Sequence, residues 1–315
     1  MSPTAGAQRL AISVDLDAPL DYCRFYRFGF EPPSDPFLGE ALPYLLDLFG
    51  ELGVRATFFV IARDLAGSEA RRWLRRAAEL GHELGNHSVE HPHAFRALPR
   101  AAKAREIDDG AARIEEATGV RVVGFRCPAY DLDRDLLELL LERRYLYDSS
   151  LVPSPFLLPM KWIVRLKARR WRVGLGELAH SWAPRAPHFY GLGGRRLTVA
   201  SNASEQALLE LPLTVLPFLR FPFWGTITQI LGEGPFRRAM GLLRRDGLPI
   251  NYGLHAAEVV AMGSGANGSE RVPGYGADVT ARRRRLRATL AEMVEGLDCC
   301  TLAEVAQAVR RGAGR

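Results

Sequence analysis

Two hydrophobic rhythms alternate along this chain. Short runs of strand character occur at Leu10–Val14, Val54–Ala62, His82–Asn86, Val120–Phe125, Tyr145–Tyr147, Leu208–Leu213 and Pro249–Leu254. Between them, apolar residues recur three or four apart, the spacing that puts them on one helical face. Leu42, Leu45, Leu46, Phe49 and Leu52 form such a face. Helices are also predicted over Glu69–Leu80, Arg100–Thr118 (closed by Gly119), Arg134–Arg144 and about Phe236–Arg245. Strands that alternate with helices predict a parallel sheet or barrel. From about Leu151 to Ala203 the rhythm breaks into prolines, aromatics and the basic stretch Lys161–Arg172. A Gly- and Ser-rich loop, Met262–Gly276, precedes a helix over about Val279–Glu295. The last helix starts at Thr301 with Glu304 three residues on, the spacing of a capping box. No internal repeat is visible. The pattern reads as one α/β domain over 1–315, with a core of about 10–260, an insertion around 151–203 facing substrate or membrane, and 278–312 completing it.

Composition narrows this only a little. The chain has 315 residues, enough for one large domain, with 47% hydrophobic and 25% charged residues, ordinary for a folded protein. The net charge is +6, and the basic balance suits an anionic partner or a solvated surface about equally. No basic motif interleaved with aromatics points to nucleic acid, so none is expected. Cys23, Cys127, Cys299 and Cys300 show neither a disulfide framework nor zinc-ribbon spacing, which predicts a reducing compartment. The first residues lack the pattern of a signal peptide, and no apolar run reaches the roughly 18 residues of a membrane span. The expectation is a cytoplasmic protein, with peripheral contact at the inner face of the membrane as an option.

Chemistry clusters at the strand ends. Asp15 and Asp17 follow the first strand, and His87 and His91 follow His82–Asn86. Arg126 follows Val120–Phe125, Asp148 follows Tyr147, and His255 follows Leu254. In a parallel barrel those C-terminal ends share the face that carries active sites. Two carboxylates two residues apart repel unless a cation or proton separates their roles. One can bind a metal while the other acts as a base. Alone, the pair fits a structural turn better. His87 and His91, four apart, could chelate one ion from a helical turn that Pro92 ends. With Asp17 they make three ligands with positions left open. Zn²⁺ suits that set, and Co²⁺, Ni²⁺, Mn²⁺ or Fe²⁺ could also fit. Arg126 could orient a carboxylate, and a backbone N–H near Tyr130 could face an oxyanion. Singly, Arg126 and His255 read more naturally as surface and structural residues. Asp148 could orient the His255 imidazole or merely cap a loop.

Taken in order, Ser13-Val-Asp15-Leu-Asp17, Asn86-His87-Ser-Val-Glu-His91, Phe125-Arg126-Cys-Pro-Ala-Tyr130, Tyr147-Asp148-Ser-Ser and Tyr252-Gly-Leu-His255 resemble the polysaccharide deacetylase (NodB homology) family. Ala56-Thr-Phe-Phe-Val60 is similar to that family's second strand. The resemblance covers about residues 10 to 255. It implies a distorted (β/α)₇ barrel and hydrolysis of an N-acyl group, acetyl or formyl, from an amino sugar. It also implies Asp15 as base, Asp17, His87 and His91 as metal ligands, and His255 as acid. Arg126 would steady Asp15 and Asp148 would tune His255. Leu16 between the two acids and Cys127 in the third motif depart from the common pattern, and the fourth motif lacks a frequent Trp. Leu208–Thr214 and Leu254–Val259 are similar to a branch acting on polyprenyl-phosphate-linked amino sugars. The apolar and basic residues of 156–172 would suit an anionic lipid surface or a helix packed on the barrel. Two rivals differ in class. One is a cyclic amide or ureide hydrolase on the same site, favoured by few sugar-stacking aromatics. The other is a non-catalytic glycan- or lipid-binding protein, favoured by sugar binding without acyl release. The sugar, acyl group, native metal and oligomeric state are not written in the sequence.

Overall fold

The computed structural model describes residues 7–18, 21, 37–160, 162, 178–191, 198–200, 207–260 and 278–313. In chain order the strands are β1 (Arg9–Asp15), β2 (Thr57–Val60), β3 (Glu83–Asn86), β4 (Gly124–Phe125) and β5 (Tyr147–Asp148). They continue with β6 (His188–Gly191), β7 (Thr198–Ala200), β8 (Ala207–Glu210), β9 (Ile250–His255) and β10 (Asp298–Cys299). The helices are α1 (Phe37–Leu52), α2 (Ser68–Glu79), α3 (Arg100–Thr118) and α4 (Arg134–Glu142). After them come α5 (Gly225–Leu231), α6 (Glu233–Asp246), α7 (Val279–Val294) and α8 (Leu302–Ala313).

Parallel pairing runs β9-β1-β2-β3-β4-β5-β8, so seven parallel strands follow one another around a curled sheet. This is the distorted (β/α)₇ barrel that the family resemblance implies, built on the parallel pairing that the alternating rhythm predicts. Among the described residues, no strand ladder joins β8 to β9. The chain just after β8 bridges the gap: the Thr214 N–H donates to the Asn251 carbonyl at 3.1 Å. The Asn251 N–H returns a bond to Thr214 Oγ1 at 2.8 Å.

Strand alternation decides what faces inward. Leu10, Ile12 and Val14 of β1 join the large cluster under α1, with Leu42, Leu45 and Phe49. The intervening Ala11, Ser13 and Asp15 therefore point to the barrel interior. Phe58 and Val60 of β2 take the helix side, while Phe59 turns inward with Tyr147 and Leu209. Both faces are buried, which is why these strands read as apolar runs rather than alternating ones.

Local signals set several helix ends. Asp133 caps α4 by accepting the Leu136 N–H at 3.0 Å. Gly119 closes α3 at φ 76°, its N–H bonding the Glu115 carbonyl at 2.7 Å. The Thr301 hydroxyl and the Glu304 carboxylate satisfy each other's backbone N–H, as the capping-box spacing predicts.

Three expectations change. The strand expected over Val120–Phe125 pairs only at Gly124 and Phe125. Helix α5 begins with Gly225 and β-branched threonines and isoleucine, poor helix formers, so its sequence hid it. The insertion around 151–203 also holds β6, which pairs antiparallel with β8 and so extends the sheet. Most of the basic stretch 161–172 and the loop 262–276 lie outside the described residues.

Gly124 packs flat against the buried ring of Tyr147, and a methyl group there would land on that ring. The ring cannot swing away, because its hydroxyl donates to Glu83 Oε1 at 2.8 Å and the side chain is fully buried. Gly124→Ala should therefore destabilise the protein by about 1–3 kcal/mol in urea unfolding, the usual cost of overpacking a tight core. A loss below about 0.5 kcal/mol would show that Tyr147 has room to move.

Candidate active site

Five strand ends deliver the expected side chains to one rim. Asp15 ends β1, and Asp17 lies two residues further on. His87 follows β3, Arg126 follows β4, and His255 ends β9. The structure brings all of these together; Asp148, at the end of β5, has other partners.

The deepest contact is Arg126 with Asp15. Arg126 is fully buried, and its Nη1 donates to Asp15 Oδ1 at 2.7 Å. Its remaining donors reach Ser13 Oγ at 3.0 Å, Ser149 Oγ at 2.9 Å and the Ser149 carbonyl at 2.9 Å. The guanidinium also lies over the Phe59 ring, 4.2 Å from its centroid. The other Asp15 oxygen accepts from the Tyr130 hydroxyl at 3.0 Å. Burial would raise the Asp15 carboxyl, but Arg126, His87 and His255 outweigh it and hold the group ionised below the usual carboxylate range.

Asp17, His87 and His91 converge. Asp17 Oδ1 lies 3.4 Å from His87 Nε2 and 3.4 Å from His91 Nε2. The two rings stand 4.8 Å apart. His87 Nδ1 faces the Arg126 carbonyl at 2.7 Å. A carbonyl can only accept, so Nδ1 carries a hydrogen, and Nε2 is the ring nitrogen aimed at the Asp17 carboxylate. Two imidazole nitrogens and a carboxylate oxygen drawn to one point form a donor set that suits a cation. Asp17 Oδ1 and both ring nitrogens of His91 are buried without a hydrogen-bond partner, which the same cation would relieve in part. The chemistry and spacing of the trio therefore fit a divalent ion.

The His87–His91 segment is not the helical turn that four-residue spacing suggests. Ser88 and His91 take left-handed backbone angles, φ 71° and 51°. The Ser88 hydroxyl accepts the His91 N–H at 3.1 Å, and Asn86 Oδ1 accepts the Ser88 N–H at 2.9 Å. Behind His91 sits Asp21, its Oδ1 3.5 Å from Nδ1, held by Arg63 at 2.5 and 2.6 Å. Asp21 was not foreseen, because its neighbourhood in sequence carries no motif.

His255 faces the two aspartates, its Nε2 3.9 Å from Asp15 Oδ2 and 3.9 Å from Asp17 Oδ2. Its other side meets Glu258, with Nδ1 3.7 Å from Oε1. Glu258 is fixed by Thr226 Oγ1 at 2.9 Å and Gln229 Nε2 at 2.8 Å, both on α5. A side chain on Gly225 would collide with Glu258, so the glycine makes room for this carboxylate. Burial alone would lower the His255 pKa, but Glu258, Asp17 and Asp15 together raise it to about 9. The imidazole is thus charged at neutral pH.

Two expected roles need correction. Asp148 was expected to tune His255, yet its carboxyl accepts from Ser150 Oγ at 2.6 Å and pairs with the buried carboxyl of Glu210. Glu258 stands where Asp148 was expected, and the only hint in sequence was an acid three residues after the histidine. A backbone N–H near Tyr130 was expected to face an oxyanion; Tyr130's own is committed to the Cys127 carbonyl at 3.0 Å. Tyr130 serves Asp15 through its hydroxyl instead, from a turn where Ala129 and Tyr130 both have φ 54°.

Known proteins give the site a context. Residues 34–146 match the family described as Polysaccharide deacetylase. Over 156 residues, 47% of this chain, the sequence is 28% identical to a peptidoglycan deacetylase from Helicobacter pylori (strain ATCC 700392 / 26695). That match spans 50% of the relative, so half of its length has no counterpart in the comparison. A solved structure from Mycobacterium smegmatis, described as a candidate polysaccharide deacetylase, superposes with a TM-score of 0.61. The superposition covers 98% of this chain and 93% of that one at 19% identity, a likeness of fold.

Two measurements test the electrostatics. Glu258→Gln should lower the His255 titration in metal-free protein, followed by imidazole NMR, by about one pH unit or more. An unchanged value would mean that Asp15 and Asp17 alone hold the proton. At the Asp148–Glu210 pair, burial raises Asp148 to about 6, and burial with the Asp148 charge raises Glu210 well above its ordinary range. Carboxyls with raised values in the fold favour it fully below the unfolded values, 3.8 and 4.5. They lose that contribution as pH rises through the folded ones. Glu210→Gln should therefore gain stability relative to the parent between about pH 4.5 and pH 8, by more than about 1 kcal/mol in urea unfolding. A pH-independent difference would show that the pair shares no proton.

Proposed function

We propose that this chain, a member of the polysaccharide deacetylase family, is a metal-dependent hydrolase that removes an N-acyl group, acetyl or formyl, from an amino sugar. The substrate class is a glycan, a polysaccharide or a saccharide carried on a polyprenyl phosphate. One observation carries the reading: Asp17, His87 and His91 offer ligand atoms to a single point beside the paired Asp15 and Arg126. The three would hold a divalent ion, with Zn²⁺ first and Co²⁺, Ni²⁺, Mn²⁺ or Fe²⁺ also suited to two nitrogens and an oxygen. When bound, such an ion polarises an acyl oxygen and makes water a better nucleophile at neutral pH.

The chain's own groups divide the proton work. Asp15 accepts the proton of the attacking water, held in place by Arg126 on one oxygen and Tyr130 on the other. As the carbon–nitrogen bond breaks, His255 delivers its proton to the departing amine. The products are the free amino sugar and acetate or formate. The charged state of His255 and the ionised state of Asp15 are the two this sequence of transfers needs. Glu258 is a positioning residue for His255. The buried Asp148 and Glu210 brace the rim through Ser150, whose hydroxyl accepts the Cys127 N–H at 2.7 Å.

We read 1–315 as one catalytic unit. Cys127, Cys299 and Cys300 are free thiols, which suits a reducing compartment and a cytoplasmic enzyme. Among the described residues, no helix is long and apolar enough to cross a membrane.

Asp15→Asn keeps an acceptor for Arg126 and a donor towards Tyr130, so it should fold and retain metal. It should lose turnover of N-acylated amino sugars on the order of 10²–10⁴-fold, measured by acetate or formate release. His87→Ala should lose metal, read by elemental analysis of the purified protein. Full activity in Asp15→Asn would remove it from the reaction, and unchanged metal content in His87→Ala would dissolve the proposed centre.

A further inference from the structure

Beyond β8 the chain continues past the strand ends and turns back on itself in a tight loop. Val215 and Pro222 pair across it, the Leu216 N–H donates to the Phe221 carbonyl at 2.8 Å, and the Arg220 N–H returns to Leu216 at 3.0 Å. Phe218 and Arg220 adopt left-handed angles, φ 61° and 52°. Ordinary residues avoid that region, so the turn holds an unfavourable backbone and uses it to hold two apolar side chains out. Phe218 is 95% exposed and Leu219 is 69% exposed.

Soluble surfaces carry isolated apolar residues, but here they gather. The exposed Phe156 packs edge-on against Phe221 of the loop, ring centroids 5.3 Å apart. The exposed Trp182 lies under the Arg220 guanidinium, 5.6 Å from its centroid. On the other flank Leu231 and Leu242, both exposed, line a groove of about 220 Å³ with Leu216, Phe221 and Arg238. Contiguous apolar surface of this kind marks an interaction site.

The shape and charge select the occupant. A projecting tip with two outward side chains suits penetration into a soft layer better than a rigid partner surface. Exposed Trp and Phe beside arginines match the membrane–water boundary, where aromatic rings sit among headgroups and cations meet anionic lipid. Arg220 is anchored by the Ala183 carbonyl at 2.7 Å, which fixes the tip relative to the barrel, and Arg238 lies in the groove. The whole chain carries a net charge of +6.

We propose that the Pro217–Arg220 turn is a membrane-docking element that inserts Phe218 and Leu219 into an anionic lipid surface, with Arg238 at the headgroups. Because the turn lies just beyond the strand ends, docking would bring the rim that carries Asp15 and His255 towards the lipid. The proposal does not depend on the chemistry assigned to that rim.

Sedimentation of the full chain with vesicles tests it, using phosphatidylcholine alone and phosphatidylcholine with 30% phosphatidylglycerol. Binding should occur on the anionic vesicles and weaken with salt. Phe218→Asp/Leu219→Asp should reduce it by about tenfold or more. The milder Phe218→Ser and the charge reversal Arg238→Glu should each reduce it by about threefold or more. All three variants should keep the parent's melting temperature within about 2 °C, since the altered side chains are exposed or line an open groove. Absence of binding to anionic vesicles would overturn the proposal, as would equal binding to both compositions or unchanged binding by the double variant. A concentration-dependent dimer in light scattering that the double variant dissolves would assign the face to a second copy of the chain, and would overturn it too.

Discussion

A buried guanidinium holds this site together. Arg126 has no contact with solvent, so each of its donors needs an acceptor inside the protein. It finds them on β1 (Ser13 and Asp15) and in the segment that follows β5 (Ser149). From the end of β4, one side chain therefore reaches across the barrel to β1 and sideways to the segment after β5, and fixes the Asp15 carboxylate. The arrangement is costly to break, because truncating either side chain, so that its hydrogen bonds go as well as its charge, strands the other in a medium that cannot solvate it, a penalty of about 3–5 kcal/mol. The ring of Phe59 below and the serines around it leave that charge one place to sit.

Everything nearer the rim is arranged against that fixed pair. Two aspartates close together would repel, yet both stay ionised because Arg126 and the imidazoles of His87, His91 and His255 face them. His255 is the counterpart, a half-buried imidazole kept charged by three carboxylates. Environment thus moves the carboxylates down from 3.8 and the imidazole up from 6.5, which widens the gap that lets acid and base act in one pocket. His87 is oriented from behind by the Arg126 carbonyl, so the same residue that fixes Asp15 also sets the tautomer of a proposed ligand.

Asp148 shows how a correct position can carry an incorrect role. The side chain lies at a strand end, as expected, but the neighbouring strand β8 places Glu210 opposite it, and the register Asp148↔Glu210 makes a carboxyl pair. That pairing spans 62 residues of sequence through an insertion with no readable rhythm, so no local pattern could announce it. Glu258 was missed for the opposite reason. It is close to His255 in sequence, but its meaning comes from α5, whose Thr226 and Gln229 hold it and whose Gly225 leaves it space.

The amino-acid sequence by itself determined the alternation of strands and helices, the helix ends at Asp133, Gly119 and Thr301, and the placement of acids and imidazoles at strand ends. These are local effects, set by side-chain periodicity, capping and backbone preference within a few residues. It also carried the ordered motifs of Asp15 and Asp17, His87 and His91, Arg126 and His255. Tertiary structure alone decided which oxygens and nitrogens face each other. The Tyr130 hydroxyl on Asp15, the left-handed turn that aims His91, the Glu258 support of His255 and the exposed Phe218 tip all depend on contacts between distant segments. Periodicity fixes which face a residue takes, but only the packed barrel fixes what lies opposite that face.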